Sequence, residues 1–173
     1  MRAFHYWLET MVGRCDDASV SLIWRSDMRR TDDLDKDLAT LDSQASAGPE
    51  CDPERTPDFE QLFSPLVTES PLRAVGLAYV SEGSRLGGLV LRNSLLHSYP
   101  SLGVGGLSYL EGYGASTGQK WKAFQCCLNS LRLETPRTLE IVKGAVDGFR
   151  HIRQAFEALS AMRIKTTQEH QER

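Results

Sequence analysis

Three glycines, Gly83, Gly87 and Gly88, interrupt an apolar stretch that otherwise has the pattern of a helix from Ala74 to Leu91. A glycine inside a helix costs about 1 kcal/mol relative to alanine, so this cluster is a poor choice for a purely structural helix. Glycine leaves the backbone bare, which lets a flat or bulky molecule approach closely and lets a helix bend. The spacing leaves two interpretations open, which are tight packing against another helix and a ligand-binding face.

The other reactive residues do not predict a competing chemistry. The chain has four cysteines without zinc-site spacing, Cys15, Cys51, Cys126 and Cys127. It has neither a phosphate-binding loop followed by a lysine and a hydroxyl residue nor the Glu-x-x-His pairs of a di-iron bundle. His5 and Glu9 lie one helical turn apart, a pair that chance easily produces.

The segment from Tyr79 to Gly88, YVSEGSRLGG, resembles the distal-helix motif of heme oxygenases, most closely that of the bacterial branch associated with phytochromes. Further segments are similar to later parts of that family, in the same order along the chain. They are Gly112-Tyr113-Gly114, Trp121 to Leu131, Thr135-Pro136 and Phe149 to Leu159. The resemblance extends from about Leu72 to Leu159, roughly half of the chain.

The resemblance implies that heme is both substrate and cofactor, and that it is cleaved oxidatively to biliverdin, carbon monoxide and ferrous iron. It also implies an electron donor such as a ferredoxin or a flavoprotein reductase, and a phytochrome as acceptor of the bilin. An alternative is a scaffold that binds heme, a bilin or a protein partner without turning heme over.

For the distal side of the heme, the resemblance implies a bare backbone at Gly83, Gly87 and Gly88 that crowds the iron-bound oxygen. Ser84 stands where many animal members carry an aspartate that orders a water chain, so proton supply must run through water and another group. Arg85 is the neighbouring candidate, with a propionate contact or exposure as its alternatives.

Three further residues are implied as heme contacts. Tyr79 would flank the distal pocket, Phe149 would touch the porphyrin, and Lys122 would hold a propionate. Core packing is an equal alternative for the two aromatic residues, and a solvated surface position is the usual one for a lysine.

The family's proximal histidine lies on an N-terminal helix of the pattern Leu-Arg-x-x-Thr-x-x-x-His, and this chain has no such segment. Residues 2–9 resemble the family's second helix instead. His5, followed by Glu9, is therefore the candidate iron ligand, although it lies closer to Gly83 than the family's spacing by about one short helix. The alternative is a histidine packed on a helix. Without a preceding helix, apolar side chains of the first and last helices should be exposed.

Periodicity and capping residues predict the elements that position these residues. We expect helices over 2–12 and 18–29, after Thr31, from Pro71 to about His97, a short turn over 107–110, and helices over 121–131 and from Pro136. The last helix has an apolar stripe that predicts its core-facing side. The stripe consists of Val142, Val146, Phe149, Ile152, Phe156 and Leu159.

The fold class expected is all-α, a single-domain heme-oxygenase-like bundle over residues 1–162 with a kinked central helix. Residues 43–57 should form a polar, proline-containing loop, and 163–173 a polar tail that frays. The net charge of −3 argues against a nucleic-acid binder. No apolar run could span a membrane, and no signal peptide is evident, so a soluble cytoplasmic protein is expected.

Overall fold

The computed structural model describes residues 1–44, 57–100 and 105–171, without the side chains of Gln44 and of residues 159–171. All secondary structure within these ranges is helical. The all-α prediction is therefore confirmed. Of the expected loop over 43–57, residues 45–56 lie outside the described part of the chain.

The first helices are α1 (Arg2–Val12), α2 (Ala18–Ile23) and α3 (Thr31–Gln44), with a 3₁₀ turn at Ser26–Met28. The Asp17 carboxylate caps α2 by accepting from the backbone amides of Ser19 and Val20. The helix predicted over 18–29 is therefore divided. Trp24 and Arg25 are extended between its two parts, which lets the side chain of Met28 enter the core.

Helix α4 (Phe59–Glu69) was not predicted from the sequence. Asp58 caps it by accepting from the Gln61 amide at 3.0 Å. Phe59, Phe63 and Val67 recur every four residues and are buried against α1. This spacing was the signal in the sequence, and the internal proline, Pro65, obscured it.

The central helix, α5, runs without interruption from Leu72 to Ser98, close to its predicted bounds. It is followed by α6 (Ser108–Glu111), a 3₁₀ turn at Gly114–Ser116, α7 (Thr117–Ser130) and α8 (Thr135–Gln171). The segment 163–171, which we expected to fray, continues α8 as helix because most of its residues are good helix formers.

The closest helix–helix approach is between α5 and α8, at Gly76 and Gly144. A Cβ atom at Gly76 would lie 2.2 Å from the carbonyl oxygen of Ile141, and one at Gly144 would lie 2.2 Å from that of Arg73. No larger residue fits at either position unless the helices separate. These two glycines, rather than those in the resembling motif, allow α5 and α8 to pack.

The predicted core-facing stripe of α8 is wrong. Val142, Val146, Phe149 and Phe156 are each about half exposed. The buried side of α8 is offset from that stripe and consists of Ile141, Gly144, Gly148 and Ala155. Small residues bring the backbones of α5 and α8 together, and this contact turns the bulky side chains away from the core.

Candidate functional site

A cavity of about 530 Å³ lies along one side of α5, and α1, α6 and α8 form its other walls. Its volume is within the roughly 300–1,000 Å³ of typical small-molecule sites. Its apolar walls are formed by Met1, Phe4, Leu34, Val80, Leu91, Leu110, Phe149, Ile152 and Phe156. Its polar groups come from His5, Arg30, Ser81, Ser84 and Tyr109, and Gly87 and Gly88 complete the lining.

A second cavity, of about 540 Å³, lies between α1 and α4 and is lined by Trp7, Met11 and Ser64 among others. None of the site residues predicted from the sequence contributes to it. The cavity along α5 is therefore the candidate site.

The three glycines of the α5 motif have different surroundings. A Cβ at Gly87 would meet no atom within 4 Å, so its bare backbone faces open space at the cavity. A Cβ at Gly88 would lie 2.5 Å from the Leu110 carbonyl oxygen, so Gly88 permits the approach of α6. A Cβ at Gly83 would be 3.5 Å from the Trp121 ring, which is ordinary contact outside the cavity lining. Both interpretations of the glycine cluster therefore apply, at different residues.

Arg30 crosses the polar part of the cavity from the residue before α3. Its Nη1 donates to Ser84 Oγ at 2.8 Å and to the Ser81 carbonyl at 3.3 Å, and its Nη2 donates to the Tyr109 carbonyl at 2.7 Å. The guanidinium also lies 3.7 Å from the centre of the Tyr109 ring. Burial lowers the pKa of Arg30 to about 10, so it remains a cation at neutral pH.

His5 is 1% exposed and belongs to the same group of residues. Its Nε2 is 3.1 Å from the Tyr109 hydroxyl, and its Nδ1 is 3.5 Å from the Ser81 hydroxyl. Burial, followed by the positive charge of Arg30, holds the pKa of the imidazole well below its usual value. His5 is therefore neutral at pH 7, with a protein partner near each ring nitrogen.

Two carboxylates from outside the cavity hold its walls in place. Glu9 accepts from the backbone amides of Arg30 and Thr31 at 2.7 and 2.9 Å, so it caps the start of α3. Asp37 accepts from the amides of Ser108 and Tyr109 at 2.7 and 2.8 Å, which fixes α6 against α3. The His5–Glu9 pair noted in the sequence thus has a structural role at Glu9.

Arg85, a predicted cofactor contact, is 2% exposed and does not line the cavity. Its Nε donates to Glu82 at 2.8 Å, its Nη2 donates to the Met28 carbonyl at 2.8 Å, and its guanidinium lies 4.2 Å from the centre of the Tyr113 ring. Tyr113 donates its hydroxyl to Glu82, and burial raises the pKa of that phenol. This buried cluster joins α5 to the segment between α6 and α7.

The other predicted contacts are in three different environments. Tyr79 packs on Trp121 and Phe124 with ring centroids 5.2 and 6.4 Å apart, outside the cavity lining. Lys122 is exposed on α7 and also lies outside the lining. Phe149 lines the cavity with 58% of its surface exposed. The structure therefore brings His5, Ser84, Gly87, Gly88 and Phe149 together around one cavity.

Sequence reasoning missed two polar residues of the site, Arg30 and Tyr109. Arg30 follows Arg29 and precedes two aspartates, so it has the pattern of a solvated charged turn. Tyr109 stands in a predicted helical turn with no partner nearby in sequence. Their roles depend on contacts between distant segments, for which the sequence gives no signal.

The fold and the cavity define an all-helical protein that can hold a largely apolar ligand along a glycine-containing helix. The heme oxygenase family model matches residues 2–158, and the chain therefore belongs to the heme oxygenase family. Searches of curated proteins and of solved structures gave no match.

Two further searches of the described residues bear on the site. They contain no helix with the length and apolar character required to cross a membrane. They also contain no group of three or more histidine, cysteine, aspartate or glutamate residues that could hold a metal ion. Within the described part of the chain, a metal would therefore have to arrive with its own additional ligands, as it does in a porphyrin.

Proposed function

We propose that the chain binds heme in the cavity along α5 and cleaves it oxidatively to biliverdin, carbon monoxide and ferrous iron. A ferredoxin or a flavoprotein reductase would supply the electrons. Membership of the heme oxygenase family supports this proposal. The observation that carries it is the bare backbone of Gly87 at the wall of a largely apolar cavity.

The residues of the cavity fit a heme in two respects. A macrocycle needs apolar walls, and Phe149 and Ile152 of α8 provide one opposite the glycine-containing side of α5. A ligand with acidic substituents also benefits from a nearby cation, and the buried Nε of Arg30 has no hydrogen-bond partner in the protein.

His5 is the proposed axial ligand because it lies on the cavity wall and is neutral at pH 7. Ligation through Nε2 requires this atom to give up its contact with the Tyr109 hydroxyl. When bound, heme supplies the iron that activates dioxygen and the porphyrin carbon that is oxidised.

The contribution of the protein is orientation and hydrogen bonding at the polar part of the cavity. Ser84 donates its hydroxyl to the Ser81 carbonyl at 2.7 Å and accepts from Arg30, so it does not itself provide an acidic group. The hydroxyl of Tyr109 and water held near Ser84 are the proposed route for protons. In the bacterial branch that the sequence resembles, a cytoplasmic phytochrome would accept the bilin.

A second candidate function is binding of heme or a bilin without turnover. It is favoured by the partners of His5, because a protein group lies near both ring nitrogens and no further histidine lines the cavity. In this case the cavity would carry or present the ligand.

Spectroscopy and turnover distinguish the two functions. Hemin added to the purified protein should give a saturable Soret band at a 1:1 ratio. Addition of NADPH, a ferredoxin and its reductase in air should then convert this band to the absorption of biliverdin with release of carbon monoxide. A Soret band that persists supports the binding function, and the lack of any saturable Soret band contradicts both.

A further inference from the structure

Arg30 is a buried cation without an acidic partner. Its side chain is 2% exposed, and its hydrogen-bond acceptors are the Ser81 and Tyr109 carbonyls and the Ser84 hydroxyl, all neutral. It forms no ion pair with any carboxylate in the described part of the chain, and its Nε is buried without a partner. Burial of an uncompensated charge is costly, so such a group needs an explanation.

The other two buried arginines are neutralised by carboxylates. Arg85 pairs with Glu82 at 2.8 Å, and Arg73 pairs with Glu69 at 3.0 Å and with Glu140 at 2.8 Å. The fold thus provides acidic partners for buried arginines elsewhere. What distinguishes Arg30 is that it lines the cavity.

We propose that Arg30 forms an anion-recognition subsite in this cavity, and that the ligand is a largely apolar molecule carrying an anionic group. The apolar walls hold the body of the ligand, and Arg30 neutralises the anionic group by a charge-assisted hydrogen bond. The inference deepens the proposed function and, for heme as the ligand, rests on it.

Ser84 controls whether this charge is available. It accepts from Arg30 Nη1 at 2.8 Å and lies on the cavity wall. A carboxylate at position 84 would pair with the guanidinium, whereas the serine leaves the positive charge for a ligand. Ser84→Asp is therefore expected to remove the subsite without deleting Arg30, and to raise the melting temperature by pairing a buried charge.

The test uses the purified chain without added heme and two fluorescent dyes of similar shape. One is the anion 8-anilinonaphthalene-1-sulfonate, and the other is the uncharged N-phenyl-1-naphthylamine. We expect Ser84→Asp and Arg30→Met to weaken binding of the anionic dye by roughly tenfold while changing binding of the neutral dye less than about twofold. Arg137→Met, at an exposed arginine outside the cavity, is the matched control and should change neither.

The inference is overturned if both variants bind the anionic dye as the unmodified protein does, or if they lose both dyes equally. If Arg30→Met does not fold, Ser84→Asp alone decides between these outcomes. Competition with hemin separates this test from that of the proposed function. Charge-selective dye binding that hemin does not displace supports the subsite and contradicts heme as its ligand. Dye displacement by hemin without charge selectivity supports heme binding and overturns the subsite.

Discussion

The Nε2 atom of His5 lies 3.1 Å from the hydroxyl oxygen of Tyr109, and the two rings meet edge to face with centroids 5.4 Å apart. This contact joins α1 to α6 beside the candidate heme site. It is also the contact that the proposed axial ligand has to break. The competition between Tyr109 and a heme iron for the same nitrogen is therefore open to measurement.

Replacement of Tyr109 by phenylalanine is expected to tighten hemin binding by about 2- to 10-fold. A protein hydrogen bond contributes a net 0.5 to 1.5 kcal/mol or so, and Tyr109→Phe removes the one that competes with iron for Nε2. Hemin titration monitored at the Soret band measures the change. Tyr6→Phe, at an exposed tyrosine on the same helix, is the control. Hemin binding that is unchanged or weaker in Tyr109→Phe contradicts His5 as the axial ligand.

His5 should make the heme-free protein less stable in mild acid. Its pKa is lowered in the folded state, so below about pH 6.5 the unfolded chain binds a proton that the folded protein does not. The free energy of unfolding should then fall by up to about 1.4 kcal/mol per pH unit as the pH drops below this value, with no contribution from His5 above it.

Urea unfolding between pH 4.5 and 8 measures this slope. In His5→Gln the slope below about pH 6.5 should be smaller by that contribution, because glutamine does not titrate. His97→Gln, at an exposed histidine, should retain the slope of the unmodified protein. Identical slopes in the His5 variant and the unmodified protein would show that His5 is protonated equally in both states.

Glu9→Gln is expected to lower the free energy of unfolding by about 1–2 kcal/mol. The Glu9 side chain is 6% exposed and accepts from two backbone amides at the start of α3, so the substitution weakens a buried, charge-assisted cap. Chemical denaturation measures the loss. Glu60→Gln, in the exposed first turn of α4, is the matched control and should cost a few tenths of a kcal/mol. Equal effects of the two substitutions would contradict the capping role.

Gly144→Ala is expected to destabilise the protein by about 2 kcal/mol or more, although alanine is the better helix former. The added Cβ would lie 2.2 Å from the Arg73 carbonyl oxygen, so α5 and α8 would have to separate. Gly118→Ala, where a Cβ meets no atom within 4 Å, should be neutral or stabilising by up to about 1 kcal/mol. Thermal unfolding compares the two. A neutral Gly144→Ala would show that the helix crossing is looser than described.

The local signals of the sequence predicted individual elements well. Pro71 and Pro100 bound α5, and the apolar spacing of α7 places Phe124 in the core. The same rules failed for the orientation of α8. The large apolar residues predict one buried face, but the helix packs on Gly144 and its small neighbours, and this follows from contact with α5 rather than from periodicity.

The site was predictable only in part, for the same reason. The resemblance directed attention to Gly87 and Ser84, both of which line the cavity. Arg30 could not be found in this way, because its burial depends on Glu9 of α1 and on the Tyr109 carbonyl, far away in sequence. A charged residue in a charged turn has no local pattern that distinguishes a buried position from a solvated one.

The most direct test of the central claim is hemin binding by Gly87→Leu compared with Gly118→Leu. A Cβ at either glycine meets no protein atom within 4 Å, so neither substitution should harm the fold. Only Gly87 lines the cavity, so a leucine there should occupy the space that the heme needs. We predict that hemin affinity falls by about 10- to 100-fold in Gly87→Leu and is unchanged in Gly118→Leu. Equal hemin affinity in the two variants, with both folded, would contradict heme binding against the α5 backbone.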